Sequence, residues 1–101
     1  MYKYTTPTLP VTISDINFLD VDYFRIAIKA GKKYIFEIPA NDERVDSENN
    51  TIYLELTQEQ TAHFAAGYAI IQARIKYNTG RIQATETAKI SINDVIDEVI
   101  I

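Results

Sequence analysis

The chain has 101 residues, 47% of them hydrophobic, with ten Lys and Arg against fourteen Asp and Glu, a formal charge of -4. This length holds a single domain, residues 1–101, and the hydrophobic share excludes intrinsic disorder. The net negative charge and scattered cations argue against nucleic-acid binding, and the absence of cysteine excludes disulfides, thiolate catalysis and cysteine metal sites.

Thr5 to Pro10 is a Thr/Pro-rich lead-in that cannot be helical, and Pro7 and Pro10 suit a sheet edge because neither donates to a ladder. Leu9, Val11 and Ile13 alternate with polar neighbours and predict a first strand. Ser14-Asp15 and Asp20 bracket a short connection carrying Ile16, Phe18 and Leu19. From Asp22 to Lys29, Phe24, Ile26 and Ile28 share one face, with Tyr23, Arg25 and Lys29 on the other. Ala30-Gly31-Lys32 reads as a hairpin turn. Tyr34, Phe36 and Ile38 then form the inner face of a strand that Pro39 ends.

Residues 40–50, ANDERVDSENN, predict a solvated acidic loop with a short edge strand around Val45. In the next strand, Thr51 to Leu56, Ile52, Leu54 and Leu56 point inward and Tyr53 and Glu55 outward. Thr57 is a good N-cap with Gln60 at the capping-box position, which predicts a helical turn over about 58–66, closed by Gly67. From Tyr68 to Tyr77, Ile71, Ala73, Ile75 and Tyr77 alternate with Gln72, Arg74 and Lys76. Asn78-Thr79-Gly80 supplies a turn, and Ile82, Ala84, Ala88, Ile90 and Ile92 predict one face of a second long strand. In the closing stretch Val95, Ile96, Val99 and Ile100 recur at helical spacing, predicting a short C-terminal helix capped by Asn93 or Asp94.

About seven strands on short connections, without the helical crossovers of a parallel sheet, predict an all-β fold. The expected architecture is an antiparallel two-sheet, immunoglobulin-like β-sandwich. Gly67-Tyr68 lies near the corner where that fold often buries a tyrosine, but the cysteine pair and core tryptophan are absent.

The chemistry-bearing residues predict no enzyme. His63 is the only histidine, a general base needs an orienting carboxylate and a nucleophile, and Ser14, Ser47 and Ser91 stand in no strained nucleophile turn. His63 is therefore expected at the surface or a corner. The acidic run from Asp42 to Glu48 lacks the spacing and sharp-bend glycine of a calcium loop, and is read as a charged loop that discourages edge pairing. The three glycines stand far apart, so no phosphate-cradling loop is present, and no metal or cofactor is expected. No apolar run after Lys3 marks a secretory signal, and no stretch approaches the ~20 apolar residues of a membrane span.

Two features bear on binding surfaces. Seven tyrosines accompany no tryptophan, and Tyr2, Tyr4, Tyr23, Tyr53 and Tyr68 fall off the inner faces, with Tyr23, Tyr53 and Tyr68 on strands; they either cover the outer sheet faces as ordinary β formers or mark a contact surface. Val95, Ile96, Val99 and Ile100 make the end of the chain too apolar to stand alone in water. It either folds back over an open end of the sandwich or docks on a neighbouring subunit.

The segments YTTPTLPVTI, LTQEQTAHF, QARIKYNTGR and SINDVIDEVI together resemble small proteins encoded in tail and baseplate regions of phages and prophages of low-GC Gram-positive bacteria. The resemblance covers nearly the whole chain, with Asn78-Thr79-Gly80 standing where an Asp-Gly pair is common. It implies a non-enzymatic structural or virion-associated role through protein–protein contacts, with other tail proteins or a second copy as partners. The virion or the host cytoplasm is then the expected location, without membrane association. The alternative is a carbohydrate-binding module that stacks host-surface sugars on a clustered row of exposed tyrosines.

Overall fold

A computed structural model describes residues 1–101. The period-two stretches become β1 (Thr8–Thr12), β2 (Val21–Ala30), β3 (Lys32–Pro39), β4 (Val45–Asp46), β5 (Thr51–Glu55), β6 (Gly67–Tyr77), β7 (Ile82–Ala84) and β8 (Ala88–Ile92). One helix, α1 (Gln58–Ala62), joins β5 to β6, and a 3-10 turn at Phe18–Asp20 precedes β2. The strands form two antiparallel sheets, ordered β1-β5-β4 and β3-β2-β6-β7, with β8 also paired to β6. This is an all-β two-sheet sandwich. Its order follows strands B, E and D of an immunoglobulin domain over C′, C, F and G. Strand A is reduced to a parallel bridge between Tyr2 and Asn93.

The inward positions read from the sequence meet between the sheets. Phe24, Ile26 and Ile28 of β2, Ile38 of β3, Ile52 and Leu54 of β5, and Ala69, Ile71, Ala73 and Ile75 of β6 are buried in one cluster with Phe64. Removing each large side chain from water contributes about 1.5–3 kcal/mol. Phe18 packs against Phe24 at 4.9 Å between ring centres, and Tyr34 meets Phe64 edge-on at 5.5 Å.

The E–F corner carries the predicted capping box. Thr57 accepts from the Gln60 backbone N–H, and the Gln60 side chain accepts from the Thr57 N–H. The helix is shorter than the expected 58–66 span, ending at its C-cap His63. Phe64 leaves the helix because it is buried in the core and bridges Gly31 of the β2–β3 turn. Gly67 has the positive φ expected of it, 116°, but opens β6 instead of closing the helix. Thr61 is fully buried, and its Oγ1 accepts from the Thr5 N–H at 3.1 Å and donates to the Thr5 carbonyl at 2.8 Å.

Two expectations are corrected. The stretch 82–92 is not one continuous strand with Ile82, Ala84, Ala88, Ile90 and Ile92 on one face. Arg74 pairs Ala84 and Ile71 pairs Ala88, so three residues (85–87) oppose two on β6. One inserted residue reverses the facing of everything beyond it. Ile90 and Ile92 point inward, whereas Ile82 and Ala84 share the outer face with Lys76 and Arg74. Thr85 stabilises the bulge by giving its N–H to the Ala73 carbonyl at 2.8 Å and taking the Ala73 N–H on its Oγ1 at 3.1 Å.

The predicted C-terminal helix is absent. Asn93, its proposed cap, instead donates its N–H to the Met1 carbonyl and accepts the Lys3 N–H, so the backbone is extended where a helix would begin. So short an isolated helix is marginal in water. Nowhere is a helix long and apolar enough to cross a membrane.

Thr61→Val keeps the buried volume but strands the Thr5 N–H and carbonyl. Urea unfolding is expected to show a loss of about 1–3 kcal/mol, with Thr61→Ser retaining most of the wild-type stability. A wild-type midpoint for Thr61→Val would mean that this contact does not hold the corner.

Candidate interaction surfaces

Because β2 and β6 bury alternate residues, their other side chains emerge on the outer face of the larger sheet. The register places Lys29 opposite both Lys33 and Ile70, with Ile70 also opposite Lys89. Further along, Ala27 sits between Ile35 and Gln72, Arg25 between Glu37 and Arg74, and Tyr23 between Pro39 and Lys76. Six of the ten basic residues of the chain thus project from one sheet face: Arg25, Lys29, Lys33, Arg74, Lys76 and Lys89. Two acids accompany them at one end of the face: Glu37, paired with Arg25, and Asp22, which shares a shallow concavity with Tyr23, Glu37 and Pro39. Exposed Ile35, Ile70 and Ile82 add apolar surface among the charges. Lys29–Lys33 and Arg25–Arg74 are directly opposed like charges, an arrangement that destabilises a sheet.

The interaction residues named from the sequence fall in three places. Tyr23 and Tyr68 lie toward opposite ends of the basic face, Tyr23 with Lys76 Nζ 5.6 Å from its ring centre and Tyr68 with Lys89 Nζ at 4.6 Å. Tyr68 is exposed, so it is not the buried tyrosine of an immunoglobulin corner. Tyr53 is exposed on the outer side of β5 in the other sheet. These tyrosines form no clustered row. Val95 is half-buried, while Ile96, Val99, Ile100 and Ile101 are exposed, Ile96 as completely as in an extended peptide. The closing segment folds back at one point: Ile101 gives its N–H to Gln58 Oε1 at 2.6 Å and accepts from Gln58 Nε2 at 2.9 Å. That contact ties it to α1 without covering its aliphatic side chains.

The remaining chemistry is dispersed. His63 is exposed, with Nδ1 2.7 Å from the Glu59 carbonyl oxygen. In the acidic loop, Arg44 grips the Asp42 carboxylate through Nε and Nη2 at 2.9 and 3.0 Å, and its backbone N–H adds a third bond. Asp46 holds Asn49. No three acidic or histidine side chains converge as a metal-binding group. A shallow concavity of about 600 Å³ lies beside the β6–β7 turn, lined by Asp20, Tyr77, Asn78, Arg81 and Gln83 among others.

The basic face was the feature that linear reading missed. Arg25, Lys29, Arg74 and Lys76 each looked like an ordinary outward residue, and only the β2–β6 register adds them together. No protein-family model matches this chain, and no curated protein matches it.

The Arg44 side chain, then its backbone N–H, lowers the Asp42 carboxyl from its ordinary 3.8 to about 2. A depressed carboxyl pKa makes the linkage strongest above the ordinary value and removes it as pH falls through about 2. Carboxyl-carbon NMR is expected to follow Asp42 titrating well below its ordinary value, and Arg44→Ala to raise it part of the way back, since the backbone N–H of residue 44 is retained. A normal titration in the unsubstituted chain would discount the Arg44 clamp.

Proposed function

We propose that this chain is a non-enzymatic structural module that works through protein–protein contact, as a tail or baseplate accessory of a phage or prophage. The observation that carries the contact role is the exposed aliphatic set Ile96, Val99, Ile100 and Ile101 on the closing segment. Four of the last six residues are exposed aliphatics, and soluble domains rarely leave large apolar areas uncovered. Removing its aliphatic area from water would contribute about 25 cal/mol per Å² to an assembly. The sandwich supplies a rigid frame from which the segment and the sheet faces are presented.

The phage setting rests on the resemblance of the four segments YTTPTLPVTI, LTQEQTAHF, QARIKYNTGR and SINDVIDEVI, and it makes the virion or the host cytoplasm the place of work. A protein partner is favoured over a glycan by the separation of Tyr23, Tyr53 and Tyr68, since sugar stacking calls for adjacent rings. Tyr23 and Tyr68 also have lysine ammonium groups over their rings.

Mass spectrometry of tail or baseplate assemblies, purified from an induced culture carrying the gene, is expected to find this chain. Ile96→Asp/Val99→Asp is expected to be lost from those assemblies while its circular dichroism stays that of the unsubstituted protein. Absence of the chain from the particles would overturn the structural assignment, and full incorporation of the double variant would overturn the role of the closing segment.

A further inference from the structure

We propose that the basic face of the larger sheet is the docking site for the closing segment of a second copy of this chain, so that copies associate head to tail. This deepens the contact role proposed above and rests on it. The two surfaces are chemically matched. The face presents Lys29, Lys33, Arg74 and Lys89 around exposed Ile35 and Ile70. Residues 94–101 read Asp-Val-Ile-Asp-Glu-Val-Ile-Ile, three acids interleaved with five aliphatics. When extended, Asp94, Ile96, Glu98 and Ile100 line one side, alternating acid with aliphatic.

The dimensions agree as well. Eight extended residues reach about 23 Å, and the stretch of β6 from Ile70 to Lys76 runs about 20 Å, at ~3.3 Å per residue. Four neighbouring strands make the face about 14 Å wide, enough to seat one extended segment.

Three observations point to a second copy as the occupant. Concentrating six cations on one face of a chain with net charge -4 leaves the rest of its surface strongly acidic, so every copy carries both halves of the match. The segment does not cover its own face, because its end is tied to Gln58 on α1 and Tyr68 and Ile70 remain exposed. The opposed pairs Lys29–Lys33 and Arg25–Arg74 weaken the free sheet, and acids arriving from outside relieve that repulsion. A single-stranded nucleic acid is the other polyanion with matching charge. Tyr23 and Tyr68, at opposite ends of the face, give it no run of adjacent stacking rings. A contact between two different patches is heterologous, and it produces a ring or an open filament depending on whether the rotation closes.

The test is sedimentation velocity and light scattering of the full chain over a concentration series. The variants are Lys29→Glu/Arg74→Glu on the face and Asp94→Lys/Glu98→Lys on the segment, the two acids on its docking side. Wild-type mass is expected to grow with concentration. It should shrink toward the monomer as salt rises from 0.01 to 1 M and the screening length falls from ~30 to ~3 Å. Each variant alone is expected to associate about tenfold more weakly or worse, because like charges then meet at the contact. An equimolar mixture of the two is expected to recover association, since the reversed segment complements the reversed face.

Misfolding is separable from loss of docking. Lys29→Glu and Arg74→Glu set acids opposite Lys33 and Arg25, so the unfolding midpoint of the face variant is expected to hold or rise. A wild type that stays monomeric throughout, or one whose association neither variant alters, would overturn the proposal. In both cases incorporation into tail assemblies still reports separately on the contact role. Binding of a labelled single-stranded oligonucleotide that the face variant loses, without self-association, would also overturn it and give the face to nucleic acid.

Discussion

The ladder between β2 and β6 is the interaction on which the rest of the molecule depends. It is the central pairing of the larger sheet, and it sets Phe24 against Ile75, Ile26 against Ala73 and Ile28 against Ile71. All six side chains are buried. Moving either strand by one residue would carry Phe24 or Ile71 into water and bring Arg25 or Arg74 into the core, a change that burial energies forbid. The same constraint fixes the outside. Once the apolar residues are committed to the interior, Arg25, Lys29, Arg74 and Lys76 have no choice but to stand together on the opposite face.

The ends of the sandwich are held by polar contacts that the core itself does not supply. Thr61 reaches across to both backbone groups of Thr5, and Asn93 joins the first residues to the end of β8. Gln58 takes both backbone groups of Ile101. All three meet around the E–F corner and the neighbouring ends of the chain, where α1 closes one end of the core. These bonds satisfy backbone groups that lie outside any ladder, and they leave no buried side-chain nitrogen or oxygen without a partner. They also determine the character of the closing segment. Its backbone is anchored at both ends while Ile96, Val99, Ile100 and Ile101 face solvent.

The bulge at Thr85 shows how a single residue redistributes chemistry. With an uninterrupted strand, Ile82 and Ala84 would lie inward with Ile90 and Ile92. The inserted residue turns the first pair outward and leaves the second pair in the core. The outer face thereby gains an exposed isoleucine next to Lys76. It joins Ile35 and Ile70, so that three exposed isoleucines stand among the cations of this face.

Local pattern by itself determined the elements that depend on neighbouring residues. Alternation located β1 to β6 and their inward side chains, Thr57 and Gln60 announced the capping box, Asn78-Thr79-Gly80 the hairpin, and Val45 the short edge strand, because each obeys a rule spanning only a few positions. The two-sheet sandwich followed from strand number and short connections. What only the tertiary structure decided depends on residues far apart in the chain. The apolar spacing of Val95, Ile96, Val99 and Ile100 suggested a helix, but Asn93 was already engaged by the N-terminal segment. Gly67 looked like a helix terminator, but burial of Phe64 ended the helix earlier. The reversal at 85–87 left no mark in the alternation, since apolar residues occur on both sides of it at even spacing. The basic face is the clearest case: its cations are distributed among four strands, and only the hydrogen-bonded register brings them onto a common surface.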